Sequence, residues 1–308
     1  SPLSSLLPLP KRRPFSVFPN VPLRALMAVY FLFLSFHSLS LLVDMIHIGF
    51  LPDTRPIYLS IFFMIFCFYA ALKGMKAIAL TATVLAMFSL ATGYMVTIAA
   101  SEEKELLNLT PMLEYGFGPV LWGVPVLSSI WVELLLLLFL PMKDLKERRL
   151  LLFWNIGVLL NGLMMFSTMT GAVMVFGLGQ ADEFTYPALQ TVRIISLGFV
   201  DRFDIYGITM MSIGCYLRVA LYLRLAYQLL VPSGTVKKRR EMLLFGALSL
   251  LVLALGVYTA NEHNRVLQAT YIFIAGSSCC IRCRSCSLPS RSGTAKIKAS
   301  LPERRQAQ

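Results

Sequence analysis

The chain has 308 residues, 57% of them hydrophobic and only 14% charged, with a mean hydropathy of +0.70 and a formal net charge of +12. Soluble domains carry about 25% charged residues, so a soluble globule is excluded. Disorder over most of the chain is excluded by its apolar content, and a disulfide scaffold by six cysteines of which four crowd together near the end. A polytopic, all-α membrane protein remains. Its apolar runs are too long for buried strands and lack the alternation of a barrel strand.

A membrane-spanning helix needs roughly 20 mostly apolar residues. Residues 1–22 are rich in Pro, Ser and Leu, show no secretory signal with a cleavage site, and read as a disordered cytoplasmic segment. Eight candidate spans follow, at about 23–50, 57–73, 77–99, 118–141, 150–177, 204–230, 241–260 and 265–280. They define a transmembrane helical domain over 23–280, and residues 281–308 read as a disordered cytoplasmic tail.

In the first span His37 and Asp44 lie seven positions apart, so they share a helix face and form a polar lining of the bundle interior rather than a metal site. A tight turn, Lys73-Gly74-Met75-Lys76, separates the second and third spans. The loop 100–117 is acidic. The fourth span opens with Gly116, Gly118, Pro119, Gly123 and Pro125 within ten residues, a composition a spanning helix normally avoids. Proline removes a backbone donor and clashes with the preceding turn. Backbone groups freed in this way are tolerated in a membrane where they are buried in protein or line a cavity. The segment reads either as a broken helix that builds a site or as a simple kink. Glu133 follows in the same span, and an intramembrane acid marks a functional site by default. It is a proton or ion site, or half of a structural pair with Arg218, the deep charge of the sixth span.

Asn155 and Asn161 in the fifth span are expected to hydrogen-bond between helices. In the loop 178–203 the run from Tyr186 to Val200 reads as a short surface helix. Cys279, Cys280, Cys283 and Cys286 fall within eight residues, leaving almost no loop to close around zinc. They read as a reactive cluster or as an accident of the terminus. There is no metal spacing among the three His, no nucleophile–base arrangement and no phosphate loop. The sequence therefore points to no cofactor, no metal and no enzyme.

Charge orients the spans. With both ends cytoplasmic, 21 of the 28 Lys and Arg fall in inner loops and the tail, while the outer loops hold eight acids, from Glu102 to Asp204. This positive-inside bias accounts for the basic pI without nucleic acid as a partner.

Several phrases in fixed order then carry a resemblance. They are Lys73-Gly74, Leu109-Thr110-Pro111-Met112-Leu113-Glu114, and Glu133 after the broken helix. Next come Tyr186-Pro187 with Val192-Arg193-Ile194-Ile195-Ser196-Leu197-Gly198, then Asp201-Arg202-Phe203-Asp204 leading to Arg218. Over about residues 23–275 the chain resembles the membrane-embedded B subunit of the Ger-type spore nutrient germinant receptors, within the amino acid–polyamine–organocation transporter superfamily. The resemblance implies an inverted-repeat fold of ten helices, of which this chain lacks the first two. It implies recognition of a small nutrient, commonly an amino acid, in a central pocket. It also implies germinant receptor A and C subunits as partners, with membrane lipid around them. The location implied is the cell or inner spore membrane.

The pocket is expected around the break, with Gly123, Pro125, Ser128 and Ser129 meeting the ligand, and with Tyr30 and His37 facing them from the first span. Glu133 and Arg218 would form the coupling or structural charge pair. The chain departs from the family at Leu80, where a basic residue is usual, in its short last span, and in its Pro/Ser opening and Cys/Arg ending. These departures suggest a partial or frame-disturbed copy. A proton-coupled amino acid transporter of the same fold and a non-functional partial copy therefore stand beside the receptor reading.

Overall fold

The computed structural model describes residues 21–110, 147–194, 204–231 and 238–287, with residues 116–118, 121, 123, 124, 126, 127 and 131 between them. Among these the protein is all-α. Its helices are α1 (Val21–Gly49), α2 (Pro56–Lys73), α3 (Met75–Ala99), α4 (Glu147–Glu183), α5 (Pro187–Ile194), α6 (Asp204–Leu230), α7 (Lys238–Ala260) and α8 (His263–Ser287). A 3-10 turn, Leu106–Leu109, follows α3. Among the fully described residues, six stretches are long and apolar enough to cross a membrane: Arg24–Gly49, Pro56–Lys73, Met75–Ala99, Trp154–Glu183, Asp204–Leu230 and Arg240–Ala260. The protein is a multi-pass membrane protein.

The sequence expected eight spans, and the fourth lies mostly outside the described residues. The eighth, α8, is helical, with Asn264, Arg265 and Gln268 in its first two turns. It packs one face, Val266, Ala269 and Phe273, into the bundle.

α1 is the central helix. It packs along most of its length against α6, and also against α2, α7 and α8. Lipid tails are as apolar as leucine, so close packing and polar contacts hold such helices together rather than a hydrophobic drive. The α1–α6 seam shows why these two approach. Ser35 of α1 donates to the Val219 carbonyl, and the Cys215 thiol donates to the Ser38 carbonyl at 3.2 Å. Ala220 and Ala226 of α6 are fully buried. Gly256 of α7 admits Leu39, whose Cδ2 would lie 3.1 Å from a Cβ at that position.

The large exposed side chains of α2 and α3, such as Phe62, Phe66, Leu80, Val84 and Met87, form the apolar outer surface that a bilayer covers. Asn155 and Asn161, expected to bridge helices, instead lie exposed on α4. The turn after α2 places Gly74 at φ +94°, in the region that favours glycine. α4 is interrupted at Gly177, with φ +75° and ψ 163°, at the end of the expected fifth span.

Candidate functional site

A cavity of about 360 Å³ lies between α1, α3, α4 and α6, and α5 lies across it. Small residues open the space: Ser89, Gly93 and Thr97 on α3, Ser167 and Gly171 on α4, and Gly207 and Gly214 on α6. Gly93 sets the width, since a Cβ there would come within 2.3 Å of Met164 Cε and 2.9 Å of Met210 Cε. Four methionines, Met45, Met164, Met210 and Met211, form the soft apolar wall. Leu189, Thr191 and Val192 of α5 close it over.

Among the described residues that line the cavity, Lys104 and Arg218 are charged and none is acidic. Lys104 arrives from the loop after α3. That loop is tied to α4 by the Glu105 N–H and the Asn108 side-chain amide, both donating to the Met174 carbonyl, at 3.2 and 2.8 Å. The Lys104 ammonium donates to the Thr97 carbonyl at 3.4 Å. Its stem lies 3.3 Å from where a Gly171 Cβ would sit. Partial burial pulls its pKa below the usual lysine value, because the charged form has lost water. A small molecule carrying an anionic group is the chemical complement of such a site. The volume falls within the range of small-molecule pockets, roughly 300–1,000 Å³.

Of the residues expected at the site, Arg218, expected in the charge pair, lines this cavity. Gly123 is helical and partly buried and does not line it. Pro125, Ser128, Ser129 and Glu133 lie outside the described residues, and so does the expected Glu133–Arg218 pair. Trp131, on the same segment, lies against α4, its ring 3.7 Å from where a Gly162 Cβ would sit. Tyr30 and His37 face another way, towards α8. Tyr30 packs in the apolar cluster that holds Phe31, Tyr222 and Phe273. The His37 ring lies between Phe33 and Phe273, at 5.9 and 5.6 Å, and its buried Nδ1 has no hydrogen-bond partner among the described residues. Lys104 escaped the sequence reading because it stands among Glu102, Glu103 and Glu105, a pattern that reads as a solvated loop.

A second polar centre lies beside the cavity. Asp44 of α1 is 1% exposed. Its Oδ2 accepts the Tyr186 hydroxyl at 2.5 Å and lies 2.8 Å from Nδ1 of His263, the first residue of α8. Burial, and then the hydrogen bond to Asp44, push the Tyr186 phenol above its ordinary pKa, so it stays a donor. The polar face that His37 and Asp44 were expected to share divides accordingly. His37 packs among rings, and Asp44 joins residues from two distant segments. Among the described residues no group of three or more His, Cys, Asp or Glu is arranged to hold a metal.

Comparison with known proteins agrees with the sequence pattern. A family model described as spore germination protein matches residues 20–264. Spore germination protein XB of Bacillus anthracis is 27% identical over 233 residues, which cover 75% of this chain and 64% of the relative. Spore germination protein KB of Bacillus subtilis (strain 168) is 27% identical over 235 residues, covering 72% of this chain and 61% of that protein. The chain thus spans less than two thirds of the length of either relative. No solved structure matches.

Proposed function

The chain belongs to the spore germination protein family, and we propose that it is the membrane subunit of a germinant receptor that senses a small nutrient, an amino acid, in the cavity beneath α5. The observation that carries this reading is the Lys104 ammonium, which meets no acid among the described lining residues, on walls of methionine and hydroxyl groups. An amino acid's carboxylate would meet the Lys104 ammonium. Its ammonium would take the hydroxyl groups of Ser89, Ser167 and Thr168, and its side chain would lie against Met164 and Met210. Ser129 stays a ligand contact on the strength of the broken-helix sequence, and Glu133 the partner of Arg218.

Both termini would be cytoplasmic in the cell or inner spore membrane, a placement supported by the inner bias of the basic residues. Receptor A and C subunits would carry the signal onward.

The test is binding of a panel of radiolabelled amino acids to the purified protein in nanodiscs. Saturable binding that Ser129→Trp abolishes is the expected result. Absence of saturable binding for every amino acid in the panel would overturn the reading. Uptake into proteoliposomes driven by a proton gradient would assign transport instead of sensing.

A further inference from the structure

The loop that brings Lys104 to the cavity is held by a break in α4. In an unbroken helix each carbonyl accepts the N–H four residues further on. At Gly177 the backbone leaves helical values, with φ +75° and ψ 163°, and the next N–H no longer faces back along the helix. The Met174 carbonyl lies in the turn before the break, so it is one of those that a helix end leaves for outside donors. The loop supplies two. The Glu105 N–H reaches it at 3.2 Å and the Asn108 side-chain amide at 2.8 Å. No residue of the turn Leu106–Leu109 is buried, so apolar packing contributes little and the two bonds to Met174 fix the loop. Asn108 makes the shorter bond, and it is the one that a side-chain substitution removes.

The same face of α4 makes room for the lysine. Gly171 lies three residues before Met174, so it sits on that face about one turn away. A Cβ at Gly171 would come 3.3 Å from Lys104 Cε and 3.7 Å from Nζ. The ammonium carries three hydrogens, and its acceptor among the described residues is the Thr97 carbonyl at 3.4 Å. Glu102, Glu103 and Glu105 neighbour Lys104 in sequence but are exposed, and none of them enters an ion pair among the described residues. Docking of the loop therefore turns the lysine away from its acidic neighbours and leaves ammonium hydrogens for a ligand.

An anionic ligand group gains most at such a point. Hydrogen bonds to an ionised partner are roughly twice as strong as neutral ones, and a partly dry cavity weakens them less than water does. The amide or ester of the same ligand has no negative charge to offer. On the reading that the cavity takes an amino acid, we propose that it selects the free carboxylate over the amide or ester, and that Asn108, docked on the interrupted end of α4, is the positioning residue that presents Lys104 to it. Gly177 frees the acceptor, Asn108 makes the tie, Gly171 leaves the space and Lys104 brings the charge. Without the tie the loop is released and Lys104 turns to water and to its acidic neighbours. The carboxylate then loses its partner while the apolar walls stay in place.

The test measures dissociation constants in nanodiscs for leucine and leucinamide, and for the other amino acids of the panel with their amides. The parent is expected to prefer acid to amide about 10- to 150-fold, the range for one hydrogen bond to a charged group. Lys104→Met and Asn108→Ala are each expected to remove most of that preference and to leave affinity for the amide unchanged. The double variant should lose no more than Lys104→Met alone, because both changes act through one ammonium. A residue that only supported the fold would weaken acid and amide alike.

A second measurement reads the tie without ligand. Spin labels go on Leu107→Cys of the loop and Leu159→Cys of α4, both exposed positions, with the six native cysteines replaced by alanine. Leu159 lies about 22 Å along α4 from Met174, at about 1.5 Å per residue. Pulsed electron spin resonance is expected to give a narrow distance distribution for the parent and a broader one for Asn108→Ala. If Asn108→Ala does not fold, Asn108→Leu, close in size and without a donor, is read in both measurements. Equal weakening of acid and amide in the Asn108 variant, an unchanged preference, or a distribution as narrow as the parent's overturns the proposal. So does a parent that binds amino acid and amide alike, which would leave the receptor reading standing. Absence of saturable binding for every amino acid would strike the receptor reading itself, and the proposal with it.

Discussion

Replacing Lys104 by Met separates a functional cation from a structural one. The Lys104 ammonium is partly stripped of water inside a cavity that offers it one carbonyl, Thr97, and no acid among the described lining residues. In the unliganded protein it therefore costs stability, and its lowered pKa records that cost. The folded protein binds this proton less tightly than the unfolded chain. Its contribution to stability is complete above the unfolded lysine pKa and is lost as pH falls through the lower folded value. Lys104→Met should therefore melt at the same temperature as the parent or higher near neutral pH. The difference should shrink as pH rises through that window.

Ligand binding should move the other way. A hydrogen bond to a charged group contributes about 1.5–3 kcal/mol, so the dissociation constant for an amino acid should rise about 10- to 150-fold. Thermal melts in detergent across pH, with radioligand binding on the same preparations, read both. A variant that binds as the parent does, or that melts well below it, would refute the reasoning, because Lys104 would then be a structural tie.

Three further outcomes test the cavity and the fold. Gly93→Ala places a methyl against the flexible ends of Met164 and Met210. Overpacking costs about 1–3 kcal/mol, and flexible ends put this case near the lower bound. The displaced methyls move into the cavity, so affinity for leucine should fall more than affinity for alanine in competition binding. Gly74→Ala imposes a side chain at φ +94°, which should cost about 1–2 kcal/mol and lower the melting temperature. Gly246→Ala on α7, where a Cβ meets nothing within 4 Å, should be neutral or stabilising.

Much of the fold was legible in the sequence. The apolar runs at 23–50, 57–73, 77–99, 204–230 and 241–260 return as helices within a few residues, because a spanning segment must satisfy its backbone internally and length alone then reveals it. Gly74 between two lysines was legible as a turn, and Tyr186 to Val200 as a surface helix, realised as Pro187–Ile194 among the described residues. The family was legible in the order of short phrases.

The partners were not. Helical spacing showed that Asp44 lies on a polar face, but not that the face would meet His263, 219 positions away, and Tyr186. Nor did it show that His37, two turns earlier on α1, would settle among aromatic rings. Lys104 read as one charge in a solvated acidic loop until the tie of Glu105 and Asn108 to Met174 folded that loop onto α4 and turned the lysine into the cavity. Periodicity along a chain determines which face of a helix is polar. Which groups meet across that face depends on how the helices pack, and only the tertiary structure decides it.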